Sequence, residues 1–393
     1  MDLLNGAALK MHGMRRRDWV KLAPLLCIVF AAPCLIFFGI FAAHGSDAFN
    51  HEFPRLALGQ VEWQNLLDAK PLLMVGGPHF GGEALVWSLL KTDSRFLSQQ
   101  KFKGFSGQES DEGIFFQDVY PRFALAKLDM QRQIRVKANM RQAGYGRYAL
   151  ANEAGVHWTE GHDSVTLPNK LRLLNSFGYL WGADALQGDF KVLLEHSAPN
   201  VVHARFLQAL LNIDVNVWTA PSQPPDWSTA TASSRVKFLF VTQHPLANAL
   251  EHKRRPECRA APLGTLVANW LRIHEYAAAD APFLQHKLLV KFEDVAAKPR
   301  EVLSDIHGFV GLEADVGVAA PDAPAAFDPN ARIRDEYCAN LRHDKRLAKE
   351  HAAMVDQLEA RILKLGIEGY DLSGSWPCIQ AALDQAHTES EEL

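Results

Sequence analysis

A chain of 393 residues, 48% hydrophobic and 22% charged, is long and apolar enough to bury a full core, which excludes a disordered tract. Its formal net charge of −4 gives no overall attraction to polyanions, so a nucleic acid polymer is not an expected partner and any anionic ligand must meet a local site.

In chain order, Arg15, Arg16, Arg17 and Lys21 precede the uncharged apolar run LAPLLCIVFAAPCLIFFGIFAA at 22–43, while His44, Asp47 and Glu52 follow it. Such a run can cross a hydrocarbon core of roughly 30 Å, and proline is tolerated in membrane helices, so one transmembrane helix is predicted despite Pro24 and Pro33. A cleaved signal peptide is the competing reading, because small residues follow, although the run exceeds a typical signal core. The positive-inside bias then gives a cytosolic tail at 1–21, an anchor at 22–43 and a stem at 44–70. The expected product is a single-pass type II protein of a Golgi or other secretory membrane, with a lumenal domain at 71–380 and an acidic tail at 381–393. Of the cysteines outside the apolar run, Cys258, Cys338 and Cys378, one pair can bridge, and spacing does not say which.

A first strand is predicted from Pro71. FKVLLEHSAPN, VKFLFVTQHPL and HKLLVKFEDV are further short β-favouring runs that break at polar residues or proline, as buried parallel strands do. Helical patterns follow them in VVHARFLQALL, LANALEHKRR and REVLSDIHGFVGL, and longer ones run through LGTLVANWLRIHEYAAAD and KRLAKEHAAMVDQLEARILKLG. Alternating strands and helices predict an α/β fold with a P-loop-like parallel sheet flanked by helices.

The first strand leads into VGGPHFGGEAL. Gly76, Gly77, Pro78, His79, Phe80, Gly81 and Gly82 form a glycine turn, and Glu83 and Ala84 open the next helix, whose N–H groups and dipole can meet an anion. Neither glycine register supplies the Lys and Ser/Thr of a nucleotide-hydrolysing P-loop, so an ATPase or GTPase is not expected. The plain alternative is a structural turn. HWTEGHD, with His157, Glu160, His162 and Asp163, has the composition of a metal site, but such spacing is common on polar loops and no metal is expected. His274 lies on the apolar stripe of its helix and reads as a satisfied core histidine rather than an acid or base.

Five collinear stretches, GGPHFGGEAL, ESDEGIFFQDVYP, LLEHSAPNVVHARFLQALL, TQHPLANAL and LVKFEDVAAKPREVLSDIHGFVGL, span residues 71 to 312. Together they resemble the motifs of membrane-anchored and microbial sulfotransferases that use 3′-phosphoadenosine 5′-phosphosulfate. The resemblance implies a sulfotransferase fold with that anionic nucleotide as co-substrate. Its 5′-phosphosulfate would lie in the loop from Gly76 to Ala84 and its 3′-phosphate beside Gln243 and Glu251, with in-line sulfuryl transfer to a hydroxyl or amine of a glycan, protein or small acceptor. Glu112 is the candidate base, with Asp111 as its rival, and His79 a candidate for carrying charge to the sulfate.

The departures from the family pattern all weaken donor contacts. The basic and hydroxyl positions of the loop fall on Phe80, Gly82, Glu83 and Ala84. The arginine and serine expected for the 3′-phosphate are Gln243 and Glu251, and a lysine is His196, whereas Glu195, Ser197, Pro199 and Asn200 match. Lys253, Arg254 and Arg255 stand close enough in sequence to compensate. Sulfuryl transfer leads, a non-catalytic binding or scaffold protein of the same fold competes with it, and a transferase using another anionic donor is a third reading.

Overall fold

The computed structural model describes residues 58–98, 153–182, 185–214, 224, 226, 233–254, 258–259, 261–313, 328–374, 376 and 378–380. All of them belong to one compact unit, residues 56–393. Five parallel strands form its sheet: β1 (Leu72–Gly76), β2 (Phe96–Ser98), β3 (Val192–His196), β4 (Val236–Thr242) and β5 (Lys287–Lys291). Their spatial order is β2-β3-β1-β4-β5. The flanking helices are α1 (Gln60–Ala69), α2 (Glu83–Leu90), α3 (Glu153–Val156), α4 (Leu167–Trp181), α5 (Ala204–Leu211), α6 (Pro245–Lys253), α7 (Leu263–Asp280), α8 (Phe292–Ala297), α9 (Pro299–Val310), α10 (Ala331–His343) and α11 (Lys345–Lys364).

Because β1 and β4 are buried on both faces, they read as continuous apolar runs, and the period of two sorts their side chains between two cores. Leu73, Val75, Leu194, Leu239 and Val241 point to the side covered by α2 and α9. Leu72, Met74, Leu193, Phe238 and Phe240 point to the side covered by α1, α4 and α5. Helix α1 falls within residues 44–70, and its Trp63 and Leu67 are part of that second core. A third cluster joins α6, α7, α10 and α11 to Tyr370, Leu372 and Trp376.

The placement expected from the N-terminal sequence, a type II protein anchored in a Golgi or other secretory membrane, is overturned. Among the described residues no helix is long and apolar enough to cross a membrane, and the run at 22–43 lies outside them. The longest described helix, α11, carries lysine, arginine and acidic residues along its length.

Candidate functional site

Strand order reverses at β1, whose neighbours β3 and β4 lie on opposite sides, so the crevice beyond the carboxyl ends of β1 and β4 is the topological switch point. The loop from Gly76 to Gly82 enters this crevice from β1, and Gln243 and His244 enter it from β4.

Glycine is required in the loop by protein neighbours. A Cβ on Gly77 would lie 2.1 Å from Val241 O, and one on Gly82 would lie 2.4 Å from the Phe292 ring, with Gly82 already at φ +96°. The Gly77 N–H donates to Ala198 O at 3.0 Å and the Gly81 N–H to Pro78 O at 2.8 Å, so two loop donors are already used. Phe80 adopts φ 59°, a region costing a non-glycine residue roughly 1–3 kcal/mol. Its ring then meets His252 edge-on, 4.9 Å between centroids. Asn248 Nδ2 donates to His79 O at 2.9 Å, tying the loop to α6. His79 is buried, as is Glu83, the first residue of α2. A carboxylate in that turn suits the helix dipole. At the helix end where a phosphate would sit, the chain thus brings a carboxyl side chain rather than a hydroxyl or a cation.

At the end of β4, Gln243 is buried and its Nε2 donates to Asn330 Oδ1 at 2.8 Å. Asn330 Nδ2 donates in turn to Glu293 Oε1 at 2.7 Å, an oxygen that also accepts the His244 N–H at 2.9 Å. Tyr370 donates its hydroxyl to the other Glu293 oxygen at 2.5 Å. Trp270 Nε1 donates to Gln243 O at 3.0 Å. The His244 ring accepts the Leu246 N–H, capping α6, and stacks on Trp376 at 5.2 Å. Burial pushes His244 down to about 4, so it is a neutral imidazole near pH 7.

Glu251 pairs with Arg254 at 3.1 Å, and Arg254 also reaches Glu336 at 2.9 Å. Lys253 Nζ donates to Arg259 O and Ala261 O at 3.0 and 2.8 Å. Of the three consecutive cations after Glu251, Lys253 and Arg254 are thus engaged with these partners, and Arg255 lies outside the described residues. At the end of β3, Ser197 Oγ donates to Glu195 Oε1 at 2.6 Å, and Asn200 Nδ2 donates to Glu195 Oε2 and to Val75 O. Glu195, Ser197 and Asn200 therefore brace β3 against β1. His196 stacks on Trp87 of α2 at 5.8 Å.

Glu112 and Asp111 lie outside the described residues. His157 faces Asp280 at 2.9 Å, Glu160 pairs with Arg205, and His162 accepts the Ser164 N–H. Among the described residues no group of three or more His, Cys, Asp or Glu side chains is placed to hold a metal. His274 is the satisfied core histidine expected: its Nδ1–H donates to Trp270 O and its Nε2 accepts the Thr242 hydroxyl, both at 2.7 Å, and burial lowers it to about 4. Sequence reasoning did not find Phe292, Asn248, Asn330, Glu293, Tyr370 or Trp376, because each acts through partners distant in the chain.

The chain's structural neighbours are sulfotransferase domains. The domain from a Synechococcus olefin synthase is 15% identical, with 68% of this chain and 84% of that one covered and a TM-score of 0.34. A sulfotransferase from Alicyclobacillus acidocaldarius is 13% identical, covers 73% and 95%, and has a TM-score of 0.35. One from Mycobacterium tuberculosis is 14% identical, covers 65% and 72%, and has a TM-score of 0.36. No family model and no curated protein matches. The likeness is one of fold, and the chemistry has to be read from this chain's own residues.

Those residues do not fit a 3′-phosphoadenosine 5′-phosphosulfate donor in the arrangement observed. The loop glycines face protein atoms, a carboxylate is buried at the helix end, and the Gln243 amide is committed to Asn330.

Proposed function

We propose that this chain is a sulfotransferase-fold binding or scaffold protein whose donor crevice is occupied by its own side chains. The observation that carries this reading is Gln243. Where the resemblance implies an arginine fork for a 3′-phosphate, a neutral amide is buried in a network with Asn330, Glu293 and Tyr370. Changing that contact requires breaking hydrogen bonds that are already made. Phe80 on His252 and Glu83 at the head of α2 support the same conclusion from the loop side. Residues 71–380, with α1 packed against them, would form the working domain.

The second reading is sulfuryl transfer to a hydroxyl or amine, with Glu112 as base and His79 supplying charge. It is favoured by one observation: the glycine turn and the head of α2 stand at the switch point, where open α/β sheets bind ligands. The nucleotide would supply the sulfuryl group in that reading. Thermal unfolding with 3′-phosphoadenosine 5′-phosphate tests the choice. The scaffold reading predicts an unchanged melting temperature at about 1 mM nucleotide, whereas a rise of several degrees selects the enzyme.

A further inference from the structure

A segment anchored by the buried side chains of Tyr370, Leu372 and Trp376 lies at the end of β4, and a disulfide fastens it. Tyr370 and Trp376 lie against the residues that leave β4: the Tyr370 hydroxyl reaches Glu293 and Thr242 O, and the Trp376 ring stacks on His244 at 5.2 Å. Between these two contacts, Leu372 N–H and Ser373 Oγ both donate to the Glu359 carboxylate on α11, at 2.6 Å each. His351 Nε2 holds Leu372 O at 3.0 Å. Just beyond Trp376, Cys378 is joined to Cys338 on α10, closing a loop with a sequence separation of 40 that contains all of α11. Cys338 is buried and Cys378 half-buried, so Cys378 is the more exposed residue of the pair.

We infer that the segment carrying Tyr370, Leu372, Ser373, Trp376 and Cys378 forms a redox-releasable strap that covers the β4 side of the switch-point crevice while Cys338 and Cys378 are joined. The crosslink holds the strap's far end to α10 in both the closed and the locally open chain. Without it, the non-covalent contacts of Tyr370, Leu372, Ser373 and Trp376 resist opening, and opening uncovers His244. A dithiol reductant performs the release. One of its thiolates attacks a cystine sulfur to give a mixed disulfide, and its second thiolate resolves that bond. Two thiols are left on Cys338 and Cys378, two electrons and two protons having passed from the dithiol, which ends as a cyclic disulfide. This device concerns access to the crevice, and it stands whether or not a nucleotide is the ligand there.

Amide hydrogen exchange on the full chain, before and after dithiothreitol, tests it, with thiol alkylation and mass measurement recording the state of Cys338 and Cys378. Reduction should speed exchange at Leu372, Ser373 and His244 by about tenfold or more, while β1 and β3 amides keep their rates. The Cys378→Ser variant should show the fast rates without reductant. Unchanged exchange at those three amides in a chain shown to be reduced overturns the inference, as does finding both thiols alkylated in the untreated protein. Acceleration spread equally over β1 and β3 also overturns it, since the disulfide would then support the whole fold.

Discussion

Gln243 shows how one substitution changes what a strand end can do. An arginine there would offer charge and a planar fork to a phosphate, whereas the amide satisfies Asn330 and leaves Glu293 to bind His244 N–H, Asn330 and Tyr370. Gln243→Ala removes a buried partner of Asn330 and should destabilise the protein by about 1–3 kcal/mol in urea unfolding, with the slope unchanged. The buried histidines give a second residue-scale prediction. Burial pushes His203 down to about 3 and His244 and His274 to about 4. The unfolded chain takes up these protons first, so their contribution is fully present above the ordinary histidine value and is lost as pH falls from about 6.5 towards 4. Urea unfolding at pH 5 should therefore show a loss, relative to pH 7.5, of about 2 kcal/mol per histidine. The His274→Gln variant should show a smaller loss than the parent.

At the scale of the element, the turn from β1 into α2 keeps the outline of an anion loop while its interior is packed with protein. Gly81 and Gly82 attract attention in the sequence as sites where a ligand comes close. In the fold Gly81 meets Pro78, and Gly82 meets Phe292. Gly77→Ala, placing a methyl 2.1 Å from Val241 O against β4 backbone, should cost upwards of about 2 kcal/mol with or without nucleotide. A thermal-unfolding comparison with Gly161→Ala, where a methyl would meet nothing within 4 Å, checks it. The elements themselves were legible. β1, β3, β4 and β5, and the helices after them, stand where apolar runs and helical spacing put them, because buried parallel strands leave a continuous apolar signature. β2 was not foreseen, since three residues are too few to carry a period.

Across the whole molecule, the sheet order and the two cores follow from patterns within single segments, but the closure of the crevice depends on segments far apart. Asn330 meets Gln243 across 87 positions, and Tyr370 meets Thr242 across 128. Nothing local in QHP or in GYDL announces either contact. The sequence leaves open whether Lys253, Arg254 and Arg255 compensate for Glu251; in the fold Arg254 pairs with Glu251 three positions back and with Glu336, a partner 82 positions away that nothing local announces. The central claim is that this crevice is filled by the chain itself. Calorimetric titration of the protein with 3′-phosphoadenosine 5′-phosphate, run beside a Gln243→Arg/Glu251→Ser double variant, tests it most directly. Neither protein should give saturable heat up to about 1 mM, because Glu83, Phe80 and Phe292 still close the loop side after the β4 side is restored. Saturable binding by the wild type in the micromolar range would contradict the account, and binding by the double variant alone would place the obstruction entirely at Gln243 and Glu251.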